Sequence, residues 1–129
     1  MEVWLKLHPS CSPTYRPQLS LHCSVVTAPV AQLAPRADLV FASNTTSAAV
    51  DAYVSGGYVV VHDDGSGPNF SPLRGVPGVR FVGTSDELLA VLAEIPLDRS
   101  QARLEAQGFF TIDSGLPRWR RYFERACPV

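Results

Sequence analysis

Along residues 3–8, "VWLKLH", apolar side chains recur at every second position before Pro9 interrupts. That is the period of a half-buried strand. Residues 12–18, "SPTYRPQ", read as a proline-punctuated loop, and "LSLHCSVV", residues 19–26, predicts a second strand. "APVAQLAPRA" predicts a short helix ending near Pro35. "DLVFAS", residues 38–43, is a short apolar run of the buried-strand type. Residues 45–55 then predict a helix, with Gly56 and Gly57 as its stop. "YVVVH", residues 58–62, is continuously apolar before its histidine, as a central parallel strand is.

A Gly/Pro-rich loop, "DDGSGPNFSPLRGVPG", leads to the strand "VRFVG" at residues 79–83. "TSDELLAVLAEI" predicts a helix capped by Thr84 or Ser85, with acidic residues in its first turn. "DRSQARLEAQGFF" predicts a further helix ending near Gly108. "LPRWRRYFERA" predicts a last one, with Pro117 suited to its first turn. Strands alternating with helices define an α/β class with a mainly parallel sheet.

Composition narrows the class without changing it. The 129 residues suit one domain, residues 1–129, with residues 97–129 as a C-terminal helical extension. At 46% apolar and 18% charged, the chain is ordinary for a globular protein. A net charge of −1 lacks the basic footprint of a nucleic-acid binder. There is no apolar run of membrane-spanning length and no signal-peptide pattern near Met1, so a cytoplasmic location is expected. Cys11, Cys23 and Cys127 are odd in number and widely spaced, which fits reduced structural thiols.

The first strand opens two residues after Met1, without the strand, Gly-rich turn and helix that usually begin a doubly wound nucleotide-binding unit. The chain is therefore expected to be either a segment of a longer protein or a smaller domain that never had that unit.

In open parallel sheets ligands sit beyond the carboxyl ends of the strands. Read that way, the first strand delivers His8, Pro9 and Ser10. The third delivers Ser43, Asn44, Thr45, Thr46 and Ser47, and the fourth His62, Asp63, Asp64 and then Asn69. Hydroxyls, amides and imidazoles at one edge make a donor-rich rim. A helix beginning near Thr45 would add unpaired N–H groups and a partial positive charge suited to phosphate, while Ala48, Ala49 and Ala52 let it lie close to the sheet. The plainer alternative is that Ser43 or Asn44 is only a cap and the small residues only pack.

The ordered set "VWLKLHPS", "ADLVFASNTTSAAVDAYVSGGYVVV", "NFSPLRG" and "VRFVGTSDELLAVL" resembles the C-terminal, donor-binding half of GT-B-type transferases. The resemblance is to sialyltransferase-like and glycerophosphotransferase-like enzymes of bacterial surface and capsular polysaccharide synthesis, and it covers most of the first 95 residues. It implies a Rossmann-like three-layer domain, one half of a GT-B fold, that binds a CMP-, CDP- or UDP-activated sugar. His8, Ser43, Thr45, Thr46 and Ser47 would contact the donor phosphates. Asp51 would contact the donor ribose, one methylene shorter than the glutamate usual there. The general base would come from an N-terminal half, so no catalytic residue is assigned here. The class implies neither cofactor nor metal.

Asp63 and Asp64 together could hold Mg²⁺, yet "DDGSGPN" is equally a turn composition and offers no third ligand. No nucleophile elbow, P-loop or GxGxxG appears. In the last segment Trp119, Tyr122, Phe123 and Ala126 share one helical face, with Arg118, Arg121 and Arg125 beside it. That stripe is a solvated face, a surface that docks on the missing half or an acidic partner, or a peripheral membrane contact. The rival function is accordingly a non-catalytic α/β interaction module that works through this helix.

Overall fold

The computed structural model describes residues 2–11, 22–95 and 115–126. Its elements are strands β1 (Trp4–Lys6), β2 (Ser24–Val26), β3 (Val40–Ser43), β4 (Val59–His62) and β5 (Val79–Val82). The helices are α1 (Val30–Leu33), α2 (Ala48–Val54), α3 (Ser85–Ala93) and α4 (Pro117–Ala126), with a 3-10 turn over Ala34–Arg36. The helix expected over residues 98–110 lies outside the described residues, as do residues 19–21 of the second strand.

All strand pairs are parallel. β3, β4 and β5 lie in consecutive order, with Phe41 opposite Val60 and Val60 opposite Arg80. β1 and β2 pair in a separate two-stranded sheet, Leu5 opposite Val25. The fold is mixed α/β, with short parallel strands in two open sheets where one mainly parallel sheet was expected.

β4 is the centre, as its unbroken apolar run requires: Val59, Val60 and Val61 are fully buried. On one face Val59 and Val61 pack with Ala49, Ala52 and Tyr53 of α2, Ala34 of the 3-10 turn and Leu73 of the loop after β4. On the other, Tyr58, Val60 and Val82 meet Leu88 and Val91 of α3. Helix, sheet and helix thus form three layers around the three-stranded sheet.

The small side chains of α2 have a packing role. Ala49 and Ala52 are buried, and their size lets the helix axis approach the valines of β4 closely. α2 ends in a Schellman turn: Gly57 N–H donates to the Ala52 carbonyl and Gly56 N–H to that of Tyr53, both at 2.9 Å. Gly56 holds φ at 80°, the left-handed value this closure requires. Gly57 is needed for space, because a Cβ there would stand 3.0 Å from the Ala52 oxygen and 3.2 Å from the Ala34 Cβ.

α3 begins as the sequence predicts. Thr84 Oγ1 accepts from Glu87 N–H, and the Glu87 carboxylate accepts from Thr84 N–H and Gly83 N–H. This capping box satisfies donors that the first turn would otherwise leave open, a cap being worth about 1 kcal/mol.

β1 is tied to the 3-10 turn by the Arg36 guanidinium, 5.3 Å from the centre of the Trp4 ring. Tyr53 donates its hydroxyl to the Pro77 carbonyl at 3.3 Å, which helps moor the long loop before β5.

Candidate functional site

Every predicted site residue except Asp51 lies at the end of a strand or shortly past it. Ser43 ends β3, and its side chain is exposed. Its hydroxyl pairs with that of Thr45 at 3.0 Å and accepts from Thr45 N–H at 3.3 Å. Thr46 N–H donates to the Ser43 carbonyl at 3.3 Å. The chain therefore makes a tight hydroxyl-bearing turn before it becomes helical.

That turn corrects the expected helix start. α2 begins at Ala48 rather than Thr45, because short hydroxyl side chains capture neighbouring backbone N–H groups and hold the chain out of helical register. Thr46 Oγ1 takes the Ala48 N–H at 3.1 Å, while Ser47 makes no side-chain cap bond. With α2 only seven residues long, the helix dipole is a weaker feature of this edge than the sequence implied. What remains is a run of hydroxyls: Ser43, Thr45 and Ser47 exposed, Thr46 half-buried. Asp51 sits in the first turn of α2 with its side chain exposed.

His8 lies two residues past β1 and is exposed. Its Nδ1 stands 2.6 Å from Ser10 Oγ and accepts from Ser10 N–H at 3.2 Å. A backbone N–H can only donate, so in the neutral ring Nδ1 is the acceptor and Nε2 carries the proton. Nε2–H is then the ring's remaining donor. Among the described residues the ring pairs with Ser10 and not with the turn after β3. β1 and β3 belong to different sheets, and the consecutive order of β3, β4 and β5 contains no point where strand order reverses.

Asn44, Asp63 and Asn69, which the sequence places at one sheet edge, are bonded together there through Asp63, and Arg74 joins them. Asp63, directly after β4, donates its N–H to the Val82 carbonyl at the end of β5. Its carboxylate accepts from Asn44 Nδ2 at 3.0 Å and Asn69 Nδ2 at 2.6 Å. Arg74 stands 3.9 Å from it. The Asp63 side chain is 12% exposed and that of Arg74 75%. One carboxylate thus ties the end of β3, the end of β4 and the loop before β5, and brings a guanidinium to the rim.

The sequence places Asp63 at this edge and offers it, with Asp64, as a weak metal candidate, but gives it no role as a tie and does not single out Arg74. The usable signal was position, an acidic residue immediately after the most buried strand. Asp64 points away into its own turn. Ser66, through its side chain and its N–H at 2.9 Å, holds the Asp64 carboxyl below its ordinary pKa.

Among the described residues no group of three or more His, Cys, Asp or Glu is placed to hold a metal ion. None of the polar or charged side chains described is fully buried, and at the rim Ser43, Thr45, Ser47 and Arg74 are exposed. Shallow hollows lie elsewhere, one beside Leu116, Trp119 and Phe123 on α4, another beside His22 and Cys23.

The chain matches no family model, no curated protein and no solved structure.

Proposed function

We propose that the chain binds a nucleotide-activated sugar of the CMP, CDP or UDP type, as the donor side of a two-lobed GT-B-type glycosyltransferase of cell-surface polysaccharide synthesis. The observation that carries this reading is the row of exposed hydroxyls at the carboxyl end of β3, braced from behind by the Asn44–Asp63 bond. Hydroxyl and amide donors of this kind meet phosphate oxygens without crowding a bulky diphosphate. His8, which the other sheet carries and which contacts Ser10 rather than the turn after β3, is assigned to the same phosphates through Nε2–H by the family resemblance alone, as Asp51 is to the ribose. Arg74 at the same rim adds a cation. In the transferase these donors stabilise charge on the departing nucleotide phosphate. The acceptor hydroxyl is deprotonated by a base from the companion half.

The charge around the rim sets the strength. Asp51, Asp63 and Asp64 outnumber Arg74, so a diphosphate is held by neutral donors rather than by net attraction. Binding by this chain alone is then weak, with a dissociation constant on the order of 1 mM, about 4 kcal/mol. It depends little on salt.

A ¹⁵N-HSQC titration with CMP, CDP and UDP tests the proposal. Amide shifts concentrated at residues 43–47 and at His8, reduced in Ser43→Ala/Thr45→Ala, are expected. No shifts at about 10 mM nucleotide, some tenfold above that constant, would rule the donor reading out. Shifts confined to α4 would favour the interaction module, the reading supported by the exposure of Trp119, Tyr122 and Phe123.

A further inference from the structure

α4 exposes more aromatic surface than a solvated helix needs. Trp119, Tyr122 and Phe123 are 59%, 62% and 56% exposed, and Leu116 just before them is 51% exposed. The three rings pack on one another, Trp119 stacked on Phe123 at 6.0 Å and Tyr122 edge-on to Phe123 at 5.7 Å. At about 100° per residue they occupy one arc of the helix.

Arginines border that arc on both sides. Arg118 follows the Tyr122 edge, with Arg125 and Arg121 behind it, and Arg120 follows the Phe123 edge. Four arginines less Glu124 give α4 a net charge of +3 in a chain of net −1, so the remainder carries −4.

We infer that α4 is an interfacial helix that lies on an anionic lipid surface, its rings among the headgroups and its arginines on the lipid phosphates. The charge arrangement selects this occupant. Cations on both borders of an apolar arc, in a helix of net +3, match an anionic plane that continues laterally on either side of the rings. Trp and Tyr are amphipathic rings suited to headgroup depth, and arginine stems cover apolar surface while the guanidinium reaches outward. The ten residues of α4 span roughly 15 Å, half of a hydrocarbon core. The helix therefore lies in the interface plane rather than crossing it. The acidic remainder of the chain stays in water. This inference is independent of the donor site.

The full chain is tested by co-sedimentation with phosphatidylcholine vesicles, with and without about 30% phosphatidylglycerol, a strongly anionic surface. Binding to the anionic vesicles alone is expected, largely lost at about 0.5 M salt. At roughly fivefold per cation, losing three costs about 100-fold, so Arg118→Glu/Arg121→Glu/Arg125→Glu loses at least that in partitioning. A chain carrying Trp4→Phe leaves Trp119 as the sole tryptophan reporter, and its emission shifts to the blue on anionic vesicles. Unchanged amide spectra over residues 22–95 show that the variants remain folded. Absence of binding, equal binding to neutral vesicles, or indifference to the triple charge reversal overturns the inference. So does a concentration-dependent dimer that Trp119→Ser dissolves, since the face would then belong to a second copy.

Discussion

Asp63 joins three segments that share no local sequence relation. Its carboxylate takes two amide donors and stands near a guanidinium, while its backbone N–H reaches β5. Hydrogen bonds to a charged acceptor are worth more than neutral ones, about 1.5–3 kcal/mol each. Asp63→Ala deletes the acceptor and leaves both asparagine amides to find water. A loss of about 2 kcal/mol is expected after that partial compensation, read as a lower urea midpoint at unchanged slope. Asp64 behaves differently because it is exposed. Ser66 depresses its folded-state pKa, so the contact contributes above the unfolded carboxyl's pKa and is lost as pH falls through the folded value. An NMR titration should place the Asp64 midpoint below the ordinary value of about 3.9. Ser66→Ala should raise it. The His8 tautomer is likewise a local matter, settled by Ser10 two residues away.

The elements show where pattern reading succeeds and where it slips. α3 starts where Thr84 and Glu87 say it should, because both halves of its capping box lie within four residues. α2 starts three residues late, because the residues suited to a cap are too many. Ser43 and Thr46 each capture a backbone N–H, and the turn they form displaces the first helical turn. Its end is sharper. Gly56 supplies the left-handed turn, and Gly57 admits the Ala52 carbonyl and the Ala34 side chain. Gly57→Ala should therefore destabilise the fold by about 2 kcal/mol through overpacking against backbone. Thermal denaturation followed by circular dichroism measures this, and an unchanged midpoint would mean that the 3-10 turn yields instead.

For the whole molecule, two sheets and a divided charge matter most. The rim at β3, which would hold its ligand through uncharged donors, and the cationic face of α4 answer to different physics. Nucleotide shifts should persist at high salt while vesicle binding disappears, so one salt series separates the two proposals. From the sequence alone came, among the described residues, the strand and helix order, the parallel class, the central place of β4, the α3 cap and the glycine stop. Each of these rests on side-chain period, backbone dihedrals or hydrogen bonds within a few residues, which are short-range and therefore written locally. Tertiary structure alone decided that the strands split into β1–β2 and β3–β4–β5, that Asn44 meets Asp63 nineteen residues away, and that Arg74 reaches the same rim. Those outcomes depend on which faces bury against each other and how loops close, a competition among distant surfaces that no local window contains.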